Sequence, residues 1–264
     1  MKFFFTLLFL FGLFLFLQQQ LFAQPRYLTF EIEAPSLKTT KKIWVYLPLS
    51  YEKSAKKYPV VYMHDAQNLF DAKTAYAGEW NVDETLDSLK LNVIVIGIEH
   101  GNEKRLEELT PYKHEKHGGG NADAYLDFII NTLKPHVDKT YRTKTKAKHT
   151  AIFGSSLGGL ISYYAILKHP ETFDKAGVFS PSFWYTNEIY ILTEKTEKIN
   201  AKLYFLCGDN ESKDMVTDLT KMTNLVGQRI CKKSNLQQVI IKGGKHNEKL
   251  WREHFGDAIK WLME

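Results

Sequence analysis

Apolar residues fall in two rhythms along this chain. Eight short runs rich in β-branched and aromatic residues predict strands: YLTFEIE (27–33), KKIWVYLP (41–48), YPVVYMH (58–64), NVIVIGI (92–98), HTAIFG (149–154), KAGVFS (175–180), AKLYFLC (201–207) and QQVIIKG (237–243). In the first two, polar and apolar positions alternate, which suits a sheet edge or a sheet with one wet face. The middle runs are apolar almost throughout, as strands of a parallel sheet covered on both faces must be. Between them the spacing becomes helical. Residues 121–141 carry Leu126, Ile129, Ile130 and Leu133 on one stripe, 156–170 run to Pro170, and 213–230 and 248–263 complete the helical set. Strands alternating with helices predict an α/β fold of three layers, with a mostly parallel central sheet of about eight strands and helices on both faces. No repeat, linker or low-complexity tract divides residues 24–264, which read as one domain.

The first 23 residues follow a different pattern. Lys2 precedes an apolar run from Phe3 to Leu17, broken by Thr6 and Gly12, and QQQLFA follows. These are the parts of an export signal, with cleavage expected after Ala23 and an uncleaved anchor as the other reading. The expected location is periplasmic or secreted, and no later run reaches spanning length, so no other membrane contact is expected. The net charge of +5 comes from scattered lysines. The one basic stretch, YRTKTKAKHT (141–150), reads as a solvated turn before a strand, and without a zinc finger or interleaved aromatics no nucleic-acid partner is expected. Cys207 and Cys231 could pair in an oxidising compartment or lie buried as thiols. With no Cys-x-x-Cys, a cysteine metal or redox centre is excluded.

Against this background, AIFGSSLGGLISYY (151–164) stands out. A strand runs into a helix through Gly154-Ser155-Ser156-Leu157-Gly158, a G-x-S-x-G turn. Such a turn lifts a serine hydroxyl above the sheet and needs flanking positions almost free of side chain, which Gly154, Gly158 and Gly159 supply. Ser156 is the candidate nucleophile, and Ser155 its neighbour. The N–H of Leu157, at the positive end of the helix, can face an oxygen that becomes negative during acyl transfer. A serine needs a base, and in the α/β-hydrolase order the acid and then the histidine follow it. His169 ends the elbow helix and His254 lies inside the last one. His246, in VIIKGGKHNEKLW, stands between a strand and a helix and is the candidate base. The strand AKLYFLC leads into Gly208-Asp209-Asn210-Glu211, where either Asp209 or Glu211 could orient the imidazole. A second oxyanion donor is expected from the N–H of Ala66 or Gln67, in VVYMHDAQNLFD. His64 and Asp65 read as loop-shaping residues rather than metal ligands. HGGG (117–120) lies after the wrong strand for an oxyanion loop and reads as a pocket rim. His114 and His117 read as exposed.

Beyond the serine motif, YPVVYMHDAQNLFD, GEWNVDETL, VIVIGIEHGNEKRLEELTPY, GGGNADAYLDFI, AIFGSSLGGLISYY, LYFLCGDNES and GGKHNEKLWREHF, in this order, resemble the putative-esterase family of α/β hydrolases. Its members include siderophore esterases of the enterobactin type, esterase D-like enzymes, and feruloyl or acetyl-xylan esterases. The resemblance runs from about residue 27 to the C-terminus. It implies an α/β-hydrolase fold, Ser156 as nucleophile and His246 as base. It favours Glu211 over Asp209 as acid and places Arg105 and Glu108 at the pocket floor or rim. Ala66 stands where relatives often carry glycine. Phe183 and Trp184, in SPSFWYTNEIY, are expected to line the pocket. The implied reaction is hydrolysis of a carboxylic ester, small or glycan-linked, through a covalent acyl-enzyme, with no metal or organic cofactor required. A thioesterase or acyltransferase would use the same residues. A reading of another class is an inactive scaffold that binds carbohydrate or peptide.

Overall fold

In a computed structural model, the structure describes residues 26–264. The expected export segment, 1–23, lies outside the described residues. All eight predicted strands are present: β1 (Tyr27–Ala34), β2 (Thr39–Tyr46), β3 (Val60–His64), β4 (Ile94–Ile98), β5 (Thr150–Ser155), β6 (Lys175–Phe179), β7 (Lys202–Gly208) and β8 (Leu236–Ile241). They form one sheet in the order β1-β2-β4-β3-β5-β6-β7-β8. β1 pairs antiparallel with β2, and β2 with β4. Every other neighbour is parallel. The alternating β1 and the half-exposed β8 are the two edges, while β3, β4 and β5 are buried along their whole length.

The apolar runs feed two cores because successive side chains of a strand point to opposite faces. Val60 and Tyr62 enter one core, and Val61 and Met63 the other. The described helices are α1 (Val82–Leu89), α2 (Arg105–Leu109), α3 (Ala122–Asp127), α4 (Lys134–Thr140), α5 (Leu157–Lys168), α6 (Glu188–Lys195), α7 (Met215–Arg229) and α8 (Glu248–Met263). The first core packs under α3, α5 and α7, and the second under α1 and α8, where Trp251, Phe255 and Ile259 are buried.

Helix α5 is buried on all sides, which its nearly continuous apolar sequence requires. The helix expected over 121–141 is interrupted by a wide π turn at Phe128–Leu133. The turn ends just before Pro135, whose nitrogen has no hydrogen to donate. Helices α1, α2 and α6 were not expected. Each has only five or eight residues, too short for an apolar stripe to show above the background. Both cysteines are buried free thiols, and burial pushes Cys207 up to about 12 and Cys231 to about 11. Among the described residues no helix is long and apolar enough to cross a membrane.

Candidate active site

The cluster of small residues folds as a strand-to-helix elbow. β5 ends at Ser155, α5 starts at Leu157, and Ser156 between them has φ 58° and ψ −121°. A non-glycine residue there carries strain of about 1–3 kcal/mol, which its surroundings must hold in place. Ser156 N donates to Phe179 O at 2.9 Å, and Ser156 O accepts from Ser182 N at 3.1 Å. The glycines are required by contact. A Cβ on Gly154 would stand 2.7 Å from the Gly158 carbonyl carbon, and one on Gly159 would stand 2.8 Å from Phe179 O. The Ser156 hydroxyl lies 3.3 Å from the Ser182 hydroxyl.

Two loops at the ends of β7 and β8 meet beside this elbow. Gly208 and Gly244 touch backbone to backbone, so that a Cβ on Gly208 would fall 2.2 Å from Gly244 O. Asn210 N donates to Gly244 O at 3.0 Å. This contact brings His246 to Glu211, whose Oε2 is 2.7 Å from Nδ1. The Glu211 side chain is fully buried. Its Oε1 accepts from Gly208 N at 2.6 Å and from Ser180 Oγ at 2.7 Å. Ser180 Oγ in turn accepts from Trp251 Nε1 at 2.8 Å, and the Trp251 ring meets the His246 ring edge to face at 5.1 Å. Asp209 does something else. Its carboxylate accepts from Gly243 N at 2.6 Å and closes the turn that precedes His246.

Ser156 and His246 face one cleft of about 590 Å³, shared with Asp65, Gln67, His100, Arg105, Glu248 and Trp251. Arg105 grips Asp65 through two bonds, 2.7 and 2.8 Å. Burial would raise the Asp65 carboxyl, but the Arg105 charge and hydrogen bonds outweigh it and hold it below its ordinary value. Asp65 itself has φ 56°, a conformation that aspartate tolerates better than most residues. Gln67 and His100 clasp reciprocally, side-chain amide to backbone, at 3.3 and 3.4 Å. Burial raises Glu248. Among the described residues, the N–H groups of Ala66, Gln67 and Leu157 have no protein acceptor. The Ala66 methyl is accommodated because it packs against Gly97 of β4.

His64 lies under the elbow, its ring against Gly154 and Gly158, with Nδ1 2.8 Å from the Tyr125 hydroxyl. Complete burial lowers it to about 4, so it is neutral.

Three expected pocket residues are not in this cleft. Glu108 is buried against Lys41, both carboxylate oxygens 2.6 Å from Nζ, rather than standing at the floor or rim. Phe183 is in the first core beside Tyr163 and Phe205. Trp184 is 57% exposed, against the rings of His117 and Tyr185. The chain turns sharply after β6, with Ser180 at φ 43° and a 3-10 turn over Phe183–Tyr185, so successive side chains diverge. The segment does reach the site, but through Ser180 and Ser182, which sequence reasoning missed. The available signal was position: Phe179 of β6 pairs with Ser155 of β5, so the residues that follow must meet the elbow. His169 caps α5 near Glu171, and the His114 Nδ1 accepts from the N–H groups of Lys116 and His117.

The sequence model of the family described as "Putative esterase" matches residues 34–262. The uncharacterized protein YbbA of Bacillus subtilis is 30% identical over 236 residues, covering 84% of this chain and 92% of YbbA. The siderophore enterobactin esterase of Emericella nidulans is 38% identical over 93 residues, covering 35% of this chain and 30% of that protein. Among solved structures, the siderophore hydrolase EstB from Aspergillus nidulans superposes with a TM-score of 0.72 at 22% identity, covering 92% of this chain and 96% of that one.

Proposed function

Since this chain belongs to the putative-esterase family of α/β hydrolases and is an ester hydrolase, we propose that Ser156, His246 and Glu211 cleave a carboxylic ester through a covalent acyl-enzyme. The observation that carries this reading is the 2.7 Å contact of His246 Nδ1 with buried Glu211, beside a serine held at φ 58° on a strand-to-helix turn. Glu211 accepts the Nδ1–H, which leaves Nε2 as the proton acceptor. As the ester enters, the Ser156 hydroxyl turns from Ser182 to the imidazole and attacks the acyl carbon. The free N–H groups of Leu157 and of Ala66 or Gln67 receive the oxyanion. His246 then protonates the departing alcohol and activates water to release the acid.

Asn68, Thr74, His100, Asn102 and Arg105 place polar groups in a cleft that Tyr76, Ala77 and Trp251 also line. That mixed lining suits an ester that carries both an aromatic or other apolar face and hydroxyl or carbonyl groups. Siderophore esters, named as substrates of curated relatives, are the first class to test, followed by acylated glycans. The signal-like first 23 residues support action after export.

The test compares the mature chain with Ser156→Ala on p-nitrophenyl acetate and then on a panel of siderophore and glycan esters. The variant is expected to lose at least about 10³-fold in kcat/KM while remaining folded. Equal rates would remove Ser156 as the nucleophile and favour a binding scaffold.

A further inference from the structure

GEWNVDETL (78–86) is part of the family resemblance, yet the ester chemistry leaves its acidic residues without work. Glu79 ends the loop that lines the cleft with Thr74, Tyr76 and Ala77, and Asp83 and Glu84 stand on the first turn of α1. One oxygen from each of the three lies within 4.8 Å of the others. Acidic residues on a first turn suit the positive end of a helix. That accounts for Asp83 and Glu84 as a surface pair. It accounts neither for Glu79, which precedes the helix, nor for the burial of Asp83.

Asp83 is only 4% exposed, and its Oδ1 is out of solvent with no hydrogen-bond partner. Among the other buried carboxylates, Glu108 has Lys41, Asp65 has Arg105 and the Glu211 side chain has His246, while Glu248, which makes no ion pair, borders the open cleft. Asp174 Oδ1, also without a hydrogen bond, has Lys175 Nζ at 3.4 Å. Among the described residues, no lysine, arginine or histidine makes an ion pair with Glu79, Asp83 or Glu84. Arg252 comes near, but it donates to the Glu79 backbone carbonyl at 2.6 Å. A buried carboxyl grouped with two more, and in ion-pair contact with no protein cation, leaves room for a counter-charge from outside the chain.

We propose that Glu79, Asp83 and Glu84 bind a hard divalent cation, calcium in preference to magnesium. Oxygen-only ligands disfavour the softer metals, and carboxylates from a loop and the adjoining first helix turn suit the adaptable calcium shell better than the rigid magnesium octahedron. The ion would fasten the cleft loop to α1. Trp80, next to Glu79, packs on Trp251 at 5.8 Å, and Trp251 packs on His246, so a fixed loop steadies that wall of the cleft.

Terbium luminescence on the EDTA-treated chain is the direct test, because Trp80 adjoins the site and can sensitise the ion. A saturable signal is expected, displaced by calcium chloride more readily than by magnesium chloride, with calcium also raising the melting temperature. Glu84→Gln, at an exposed position, should weaken binding about tenfold and leave the melting temperature in EDTA unchanged. The triple variant Glu79→Gln, Asp83→Asn, Glu84→Gln should show no saturable signal. The proposal is overturned if the wild type gives neither a signal nor a calcium-dependent melting shift up to about 10 mM. It is equally overturned if the folded triple variant gives the same signal. Either result would make Asp83 and Glu84 a carboxyl pair sharing a proton.

Discussion

Ser180 illustrates how much one hydroxyl can organise. It is fully buried, donates to Glu211 and accepts from Trp251, so it ties the acid beneath His246 to the helix after it. We expect Ser180→Ala to lower kcat for p-nitrophenyl acetate about tenfold with KM unchanged, because Glu211 loses one of its fixed donors. Lower thermal stability with an unchanged kcat would reduce Ser180 to a packing role. The two acids after β7 separate in the same assay. Glu211→Gln should cost on the order of 10³-fold in kcat, whereas Asp209→Asn, which only loosens the Gly243 turn, should stay within a few-fold. The reverse ranking would exchange their roles. Residue chemistry left these two carboxylates equivalent, and only the resemblance leaned toward Glu211. They differ in what surrounds them: one is enclosed by donors that include the imidazole, the other is exposed and bonded to a turn amide.

At the scale of elements, short α2 owes its place to a buried ion pair. Lys41 of β2 and Glu108 of α2 are 3% and 2% exposed, and Glu108 also accepts from Gly101 N. Holding α2 there also sets Arg105 against Asp65 at the cleft. Lys41→Met leaves the Glu108 charge buried alone and should cost about 3–5 kcal/mol in urea unfolding. Adding Glu108→Leu should recover most of that loss. If the single substitution costs nothing, the pair is not what secures α2. The eight strands and the four long helical stretches were legible because their apolar spacing persists over several residues. Helix α1 was not, since Val82 and Leu86 alone form its buried apolar face and Val82 N is fixed by Leu69 O, a contact from outside the helix.

For the whole molecule, the neutral His64 under the elbow predicts how stability responds to acid. Burial lowers it from 6.5 to about 4 in the folded chain, whereas the unfolded chain takes up its proton near the ordinary value. Its contribution is therefore complete above about pH 6.5 and is lost as the pH falls toward 4, by about 3 kcal/mol in all. Urea midpoints measured from pH 7.5 to 4 should fall, and His64→Phe should flatten the slope. An identical slope in that variant would assign the acid sensitivity to other groups. By itself the amino-acid sequence determined the layered α/β sheet, the elbow at Ser156 and the candidacy of His246. Strand periodicity and turn glycines are local, and their steric reasons act between near neighbours. Tertiary structure alone decided that Glu211 meets His246, that Ser180 and Ser182 enter the site, and that Phe183 and Trp184 turn away. Those outcomes depend on which loops the parallel sheet sets side by side, and contacts between residues far apart in the chain exist only once the strands have taken their order.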